Sequence, residues 1–331
     1  MILLAAVGLS GICLVLMPIC IAALSRRDVL DRPNERSLHS AAVPRGGGIV
    51  PAFVGIAALW VVPDIPTQLR VGVIVAIAGF ALIGLGDDLW RIAPVPRLIL
   101  QAAVALGAAP LLISEMNGAT VWRVVCAIAA IAFLASYVNA FNFMDGINGI
   151  AATQAIVAGA VYAMLGFLNN EDALLGAGLV LVAVSIGFIP YNFPRARVFL
   201  GDVGSYALGA WIAALAIAAV TVSIPLDAVL APIAIFLYDT GLTLVRRVSA
   251  GEGVLTPHRR HIYQQIVQGG WSHTATTLYV ALLTSACGGF GLLAATGGLT
   301  AHLGADIAIV GLLALYTSSP ALFVRTTSSP L

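Results

Sequence analysis

Apolar residues run through this chain in long blocks, broken at intervals by short polar stretches. Eleven blocks qualify as candidate helical spans: 2–24, 49–62, 71–86, 98–113, 121–138, 150–168, 173–190, 205–222, 226–245, 277–295 and 305–316. A helix needs roughly 20 apolar residues to cross the hydrocarbon core of a bilayer. Several blocks are shorter than that, so the pattern predicts ten or eleven spans. The expectation is an all-α polytopic integral membrane protein, a single domain over residues 1–331. Composition agrees: 60% of residues are hydrophobic and 9% charged. A soluble chain of this size would need more polar side chains to cover its surface.

Net charge is only +1, but its distribution is informative. Lysine is absent, so arginine alone reports orientation. Alternating the connections places Arg26, Arg27, Arg32, Arg36, Arg45, Arg91, Arg97, Arg195, Arg197, Arg246, Arg247, Arg259, Arg260 and Arg325 on one side. Only Arg70 and Arg123 fall on the other. By the positive-inside rule the first side is cytoplasmic, and the N-terminus lies outside. Arg26 and Arg27 follow the first block and no basic residue precedes it, the reverse of a cleaved signal peptide. Cys13, Cys20, Cys126 and Cys287 sit inside apolar blocks without metal-ligand spacing, which makes them packing residues.

The most polar interruption is Asn139–Gly149, reading Asn-Ala-Phe-Asn-Phe-Met-Asp-Gly-Ile-Asn-Gly. Amides and a carboxylate at the mouth of a span are costly unless they bind something, and glycines let a backbone approach a ligand closely. A helix-capping turn is the structural alternative.

Four other interruptions fall on the same predicted side. Residues 25–48 hold Asp31-Arg-Pro-Asn-Glu-Arg-Ser-Leu-His39 and Pro44-Arg-Gly-Gly-Gly48. They read either as a basic juxtamembrane loop or as a phosphate cradle in which Arg36 or Arg45 pairs with oxygens and the glycines expose N–H groups. Asp87 and Asp88 close the third span; adjacent helical residues point about 100° apart, so the two acids are expected to have different jobs. Residues 191–204 carry Arg195, Arg197, Phe199 and Asp202. Asp202 either caps the eighth span or joins the arginines around a metal-bound diphosphate. Asp239, near the inner end of the ninth span, is expected to face the interior or a cavity. The loop after it holds His258 and His261, which lack further zinc partners and suit phosphate or sugar contact, or plain surface placement.

Taken together, carboxylates for a hard cation, arginines for an anionic substrate and a membrane setting for a lipid one suggest metal-assisted phosphoryl transfer between a nucleotide and a lipid phosphate.

Five motifs in this order resemble the polyprenyl-phosphate N-acetylhexosamine-1-phosphate transferases, from about Asp31 to Gly270. They are Asp-Arg-Pro…Arg-Ser-Leu-His…Pro-Arg-Gly-Gly-Gly, Asp87-Asp88, Asn139-x-x-Asn142-x-x-Asp145-Gly146-x-x-Gly149, Phe199-Leu-Gly-Asp202-Val-Gly-Ser205 and the late histidine loop. The resemblance implies that a UDP-N-acetylated sugar and polyprenyl (undecaprenyl) phosphate give polyprenyl-diphospho-HexNAc and UMP, with Mg²⁺ or, in its place, Mn²⁺. It implies a multi-pass protein of the bacterial inner membrane with its active site on cytoplasmic loops, compatible with a homodimer and without a nucleic-acid partner.

By the same resemblance, Asp202 and Asp88 ligate the metal, and Asp87 deprotonates or positions the lipid phosphate. Asn142, Asp145 and Asn148 line the nucleotide pocket, and Phe199 stacks near the uracil. Arg45, Arg195, Arg197 and His258 contact substrate, and His261 matches the first histidine of the family's His-x-His-His run. Two departures separate this chain from the peptidoglycan translocase: Tyr263-Gln264 replaces the later histidines, and a third acidic position of the central motif is Asn148. They point to the subgroup that initiates O-antigen or other lipopolysaccharide. An aspartyl-phosphate on Asp87 is an alternative mechanism.

Two readings from other classes stand beside this one. An intramembrane aspartyl protease is suggested by Gly84-x-Gly86-Asp87 and Tyr238-Asp239, but their order is reversed. An ion-coupled transporter would place charge near the bilayer midplane, in repeated halves.

Overall fold

In the computed structural model of the protein, residues 2–31, 42–253 and 259–323 are described. The chain opens with α1 (Ile2–Arg26), then a two-residue antiparallel pairing of β1 (Leu30–Asp31) with β2 (Val43–Pro44). There follow α2 (Ile49–Val61), α3 (Thr67–Trp90), α4 (Pro94–Leu112), α5 (Thr120–Met144), α6 (Ile150–Leu168), α7 (Asp172–Asn192) and α8 (Gly201–Thr221). A broken span comes next: α9 (Leu226–Leu230), a 3-10 turn (Ala231–Ile233) and α10 (Ala234–Ser249). Then come α11 (Ile262–Gln268), α12 (His273–Thr296) and α13 (Leu299–Phe323).

Ten helical segments are long and apolar enough to cross a membrane, and α2 is a shorter apolar helix beside them. The ten-to-eleven expectation therefore holds. The helices run longer than the apolar blocks. Asp87 and Asp88 lie in the last turn of α3, and Asn139 and Asn142 lie on α5. Only the part of the central motif after Met144 is a turn.

Helix α8 is the axis of the bundle and is almost wholly buried. Its sequence explains why: alanine and glycine dominate it, and small residues let helix backbones approach closely where lipid offers no hydrophobic drive. A β-carbon on Gly84 of α3 would lie 2.2 Å from the Asp202 carbonyl oxygen, and one on Gly48 would lie 2.1 Å from the Gly204 α-carbon. Gly55 of α2 receives the Trp211 ring in the same way. These contacts bring the starts of α2 and α8 and the end of α3 to one level.

The break before α10 is satisfied internally, as non-helical backbone within a membrane must be. Gln154 donates to the Pro232 carbonyl at 2.8 Å and Tyr162 to the Val229 carbonyl at 3.0 Å. Helices α1 and α13 lie outermost, with most of their surface exposed.

Candidate functional site

The first turn of α8 exposes backbone N–H groups with no helical partner, and its N-cap position is Leu200, which has no capping oxygen. Asp88 supplies that oxygen from another helix. Its carboxylate accepts from the Asp202 and Val203 N–H groups, at 3.0 Å each. Gly201 makes this possible with a φ of +74°, and a β-carbon there would sit 2.7 Å from Asp88 Oδ2.

Arg45 completes the junction. Its Nε lies 2.6 Å from Asp88 Oδ1 and its Nη2 lies 2.8 Å from Asp202 Oδ1. One planar guanidinium thus spans two carboxylates in the geometry its rigid fork favours. Burial pulls the Arg45 pKa down, but Asp202, Asp88 and Asp31 outweigh it and hold it above the ordinary value. Of the two readings of this loop, the one that leaves the Gly46–Gly48 N–H groups open to phosphate is not met. Gly46 and Gly47 donate to the Phe199 carbonyl and Gly48 to the Leu200 carbonyl, so these glycines cement the loop to α8.

Asn142, one turn from the end of α5, donates to Asp202 Oδ1 at 2.9 Å and to the Ser205 hydroxyl at 2.8 Å. Asp87 points away from Asp88, as the helical angle predicts, and meets Arg97 Nη1 at 2.6 Å. Asp202 lies near enough for its charge to act on the Asp87 carboxylate. Asp145 is the C-cap of α5, with part of its surface open to solvent. Burial first, then the charges of Asp202 and Asp88, push its carboxyl up to about 7 despite Arg45.

The remaining expected site residues divide. Asn148 donates to the Pro194 carbonyl at 3.1 Å, tying the central motif to the loop before α8. Phe199 is half-buried, and its backbone pairs with Pro44 and Arg45. Arg195 is exposed. Arg197 lies over the Tyr191 ring and donates to the Pro190 carbonyl, so it is held against the end of α7. Of the arginines singled out beside Asp202, the one that reaches it is Arg45. His258 and Arg36 lie outside the described residues. His261 is buried, and its Nδ1 is 3.1 Å from Asp239 Oδ1, which confirms that Asp239 faces the interior.

A cavity of about 410 Å³ runs between α4, α5 and α10. Arg97, Asn139, Arg247 and His261 supply its polar groups, and Leu98, Phe143, Leu237 and Leu244 are among its apolar walls. Arg97, which holds Asp87, is the lining residue that connects this cavity with the acids. Sequence reasoning missed Arg97 as a site residue, although its place in the first turn of the helix after Asp87-Asp88 was the available signal. It also missed Gln101, fully buried, which accepts from Asn139 at 2.6 Å and pins α4 to α5.

A family profile described as "Glycosyl transferase family 4" matches residues 70–220. Among curated proteins, the chain is 27% identical over 287 residues to one from Bacillus subtilis (strain 168) named "Probable undecaprenyl-phosphate N-acetylglucosaminyl 1-phosphate transferase", covering 82% of this chain and 78% of that one. It is 27% identical over 300 residues to the decaprenyl-phosphate N-acetylglucosaminephosphotransferase of Mycobacterium leprae (strain TN), covering 78% and 75%. It is 32% identical over 245 residues to the phospho-N-acetylmuramoyl-pentapeptide-transferase of Desulforudis audaxviator (strain MP104C), covering 62% and 72%.

Proposed function

The chain belongs to the polyprenyl-phosphate N-acetylhexosamine-1-phosphate transferase superfamily, and from that premise we propose that it transfers a HexNAc-1-phosphate from a UDP-N-acetylated sugar to polyprenyl phosphate. A phosphate oxygen of the lipid attacks the sugar-bearing phosphorus, the bond to UMP breaks, and UMP leaves as polyprenyl-diphospho-HexNAc forms. The observation that carries this reading is the cavity: largely apolar along its walls, it is lined by Arg97, and Arg97 holds Asp87 at 2.6 Å. That arrangement suits an amphiphile with a phosphate at one end.

Arg97 would bind the lipid phosphate, and Asp87 would orient it or take its proton. Asn142 and Asp145 would line the nucleotide side, with Phe199 near the base and His261 contacting the donor from the far end of the cavity. Asn148 would hold the turn that presents Asp145. Arg195, Arg197 and His258 would meet the donor from the loops if those close over it.

The donor set fits a hard divalent cation such as Mg²⁺, or Mn²⁺ in its place. Mg²⁺ binds through one or two carboxylates together with substrate phosphates, and Asp202 and Asp87 bring two carboxylates together. Asp202 is the proposed ligand. Asp88 already uses both oxygens on α8 and Arg45, so its share is to orient Asp202. The cation would neutralise charge on the transferring phosphate.

The protein would lie in a bacterial inner membrane with this end of the bundle in the cytoplasm, as the arginine distribution indicates. The names of the relatives make UDP-N-acetylglucosamine the first donor to try; initiation of O-antigen or other lipopolysaccharide is the use suggested by the histidine loop. A homodimer is compatible with the reading. The protease and transporter readings are less well supported, because Asp239 is committed to His261 and the remaining acids gather at helix ends.

The deciding experiment is UMP release by purified protein with undecaprenyl phosphate, Mg²⁺ and a panel of UDP-N-acetylated sugars. Release that stops when the lipid phosphate is omitted supports the proposal. Folded protein that releases no UMP with any donor would sink it.

A further inference from the structure

His261 is held by an arrangement that reaches across the bundle. Its Nδ1 is 3.1 Å from Asp239 Oδ1. The Ile262 N–H donates to both oxygens of that carboxylate, at 3.1 and 3.0 Å, and the Thr243 hydroxyl donates to Oδ1 at 3.2 Å. One more donor comes from the other end of the sequence: the Tyr316 hydroxyl, 2.7 Å from Asp239 Oδ2. Asp239 and Tyr316 are fully buried and His261 is 3% exposed. A buried carboxylate is tolerable only when its oxygens are satisfied, and here donors from α10, α11 and α13 satisfy it.

The contribution of α13 is unexpected. Most of this helix faces outward, exposing Leu303, Ile307, Val310 and Leu322. Near its start His302 meets Asp227, and three further polar contacts crowd into one later turn: Tyr316 with Asp239, Thr317 with the Tyr238 hydroxyl at 2.8 Å, and Ser319 with the Tyr279 hydroxyl at 2.5 Å. The helix is thus anchored at both ends, and one of the anchors is the turn that reaches Asp239.

We propose that Asp239 and Tyr316 are positioning residues that set the state of His261. An ionised carboxylate only accepts hydrogen bonds, so Asp239 selects the imidazole form protonated at Nδ1 and turns Nε2 away from itself. Tyr316, donating to the other oxygen, limits how strongly the carboxylate draws that proton. The groups around the ring are Asp239 and Arg247 of α10, Tyr316 of α13, Tyr263 of α11 stacked at 5.9 Å, Phe143 of α5 at 6.2 Å, and Arg97 of α4 across the shared cavity. That His261 serves the reaction rests on the transferase reading; that its state is set by α13 does not.

Two measurements on the full chain in detergent separate these claims. The first needs no substrate. With nitrogen-15-labelled histidine, the five histidines are observed by NMR, and His261 is assigned as the signal lost in His261→Gln. Wild-type His261 should be the Nδ1-protonated tautomer at high pH. Its titration midpoint should rise in Tyr316→Phe and fall in Asp239→Asn. An Nε2-protonated wild type, or midpoints that stay put or move in the same direction, would overturn the proposal. Should Asp239→Asn fail to fold, Tyr316→Phe alone decides, because it removes a single oxygen; an unmoved midpoint overturns the idea.

The second measurement is UMP release. Tyr316→Phe should lower kcat by about tenfold, as expected for losing one hydrogen bond to a charged group, with KM for the donor little changed. The same substitution should cost nothing further in His261→Gln. An equal loss in that background would show that Tyr316 does not act through His261. If wild-type protein releases no UMP, the transferase reading falls, and the NMR result still decides the positioning role.

Discussion

Asp88 caps a helix to which it does not belong: its carboxylate receives the N–H groups of Asp202 and Val203 at the head of α8. Asp87, its neighbour, does nothing of the kind and pairs with Arg97 at the cavity. Substituting each by asparagine should therefore give different phenotypes. Asp88→Asn should lose activity together with about 3 kcal/mol or more of stability, the scale for breaking a buried ion pair. Asp87→Asn also breaks an ion pair, but one to a partly exposed Arg97 and with no helix cap lost, so it should lose activity with a smaller fall in Tm. Equal Tm values for the two variants would contradict the division of labour.

Arg45 spans Asp88 and Asp202 with two different nitrogens, which an ammonium cannot reproduce. Arg45→Lys is expected to lower kcat at least about tenfold, the cost of one lost charge-assisted hydrogen bond. Steady-state UMP release measures this, and wild-type turnover in the lysine variant would refute the bridging role.

Asp202 is the proposed cation ligand. Asp202→Asn should abolish turnover while membrane insertion and Tm are retained. Mg²⁺ should raise the Tm of wild-type protein in the presence of donor, and that increment should vanish in the variant. Chelation should stop the reaction and added Mg²⁺ restore it.

A methyl group on Gly146 would fall 2.1 Å from the Tyr263 hydroxyl, which donates to the Phe143 carbonyl at 3.0 Å. Gly146→Ala should force the tyrosine aside and cost about 1–3 kcal/mol, the usual range for overpacking. Adding Tyr263→Phe should recover part of that loss. Recovery is read from thermal unfolding of the single and double variants; its absence would mean that the clash is relieved elsewhere.

Asp145 supplies a pH test in ligand-free protein. Burial and the neighbouring acids push its folded carboxyl up to about 7 from an ordinary 3.8, so the folded state holds the proton more tightly than the unfolded chain. The stability this adds is complete below pH 3.8 and is lost as pH rises through about 7. Asparagine carries no such proton. The Tm of Asp145→Asn relative to wild type should therefore climb between those limits and level off above them. A difference independent of pH would contradict the raised carboxyl.

Hydropathy made the spans legible, since a block of apolar residues identifies a helix even where its ends are uncertain. The divergence of Asp87 and Asp88 was legible too, because adjacent positions on a helix cannot share a direction. The arginines beside Asp202 were not: Arg45, Arg195 and Arg197 are equivalent as sequence, and only the packing of Gly48 on Gly204 brings Arg45 to the acids. Asn139 read as part of a polar loop, but α5 continues past it and Gln101 satisfies it. Tyr316 left no trace, because one hydroxyl near the end of an apolar helix carries no periodic signal.

The contrast between α8 and α13 has a mechanical consequence. Stretching, thinning or stiffening the surrounding bilayer loads the outermost helices first. Helix α8, sheathed by its neighbours, insulates Asp202 from that load, whereas α13 meets it directly and passes it to Tyr316. Lipid elasticity would thus tune the histidine arm of the site and leave the acidic arm undisturbed.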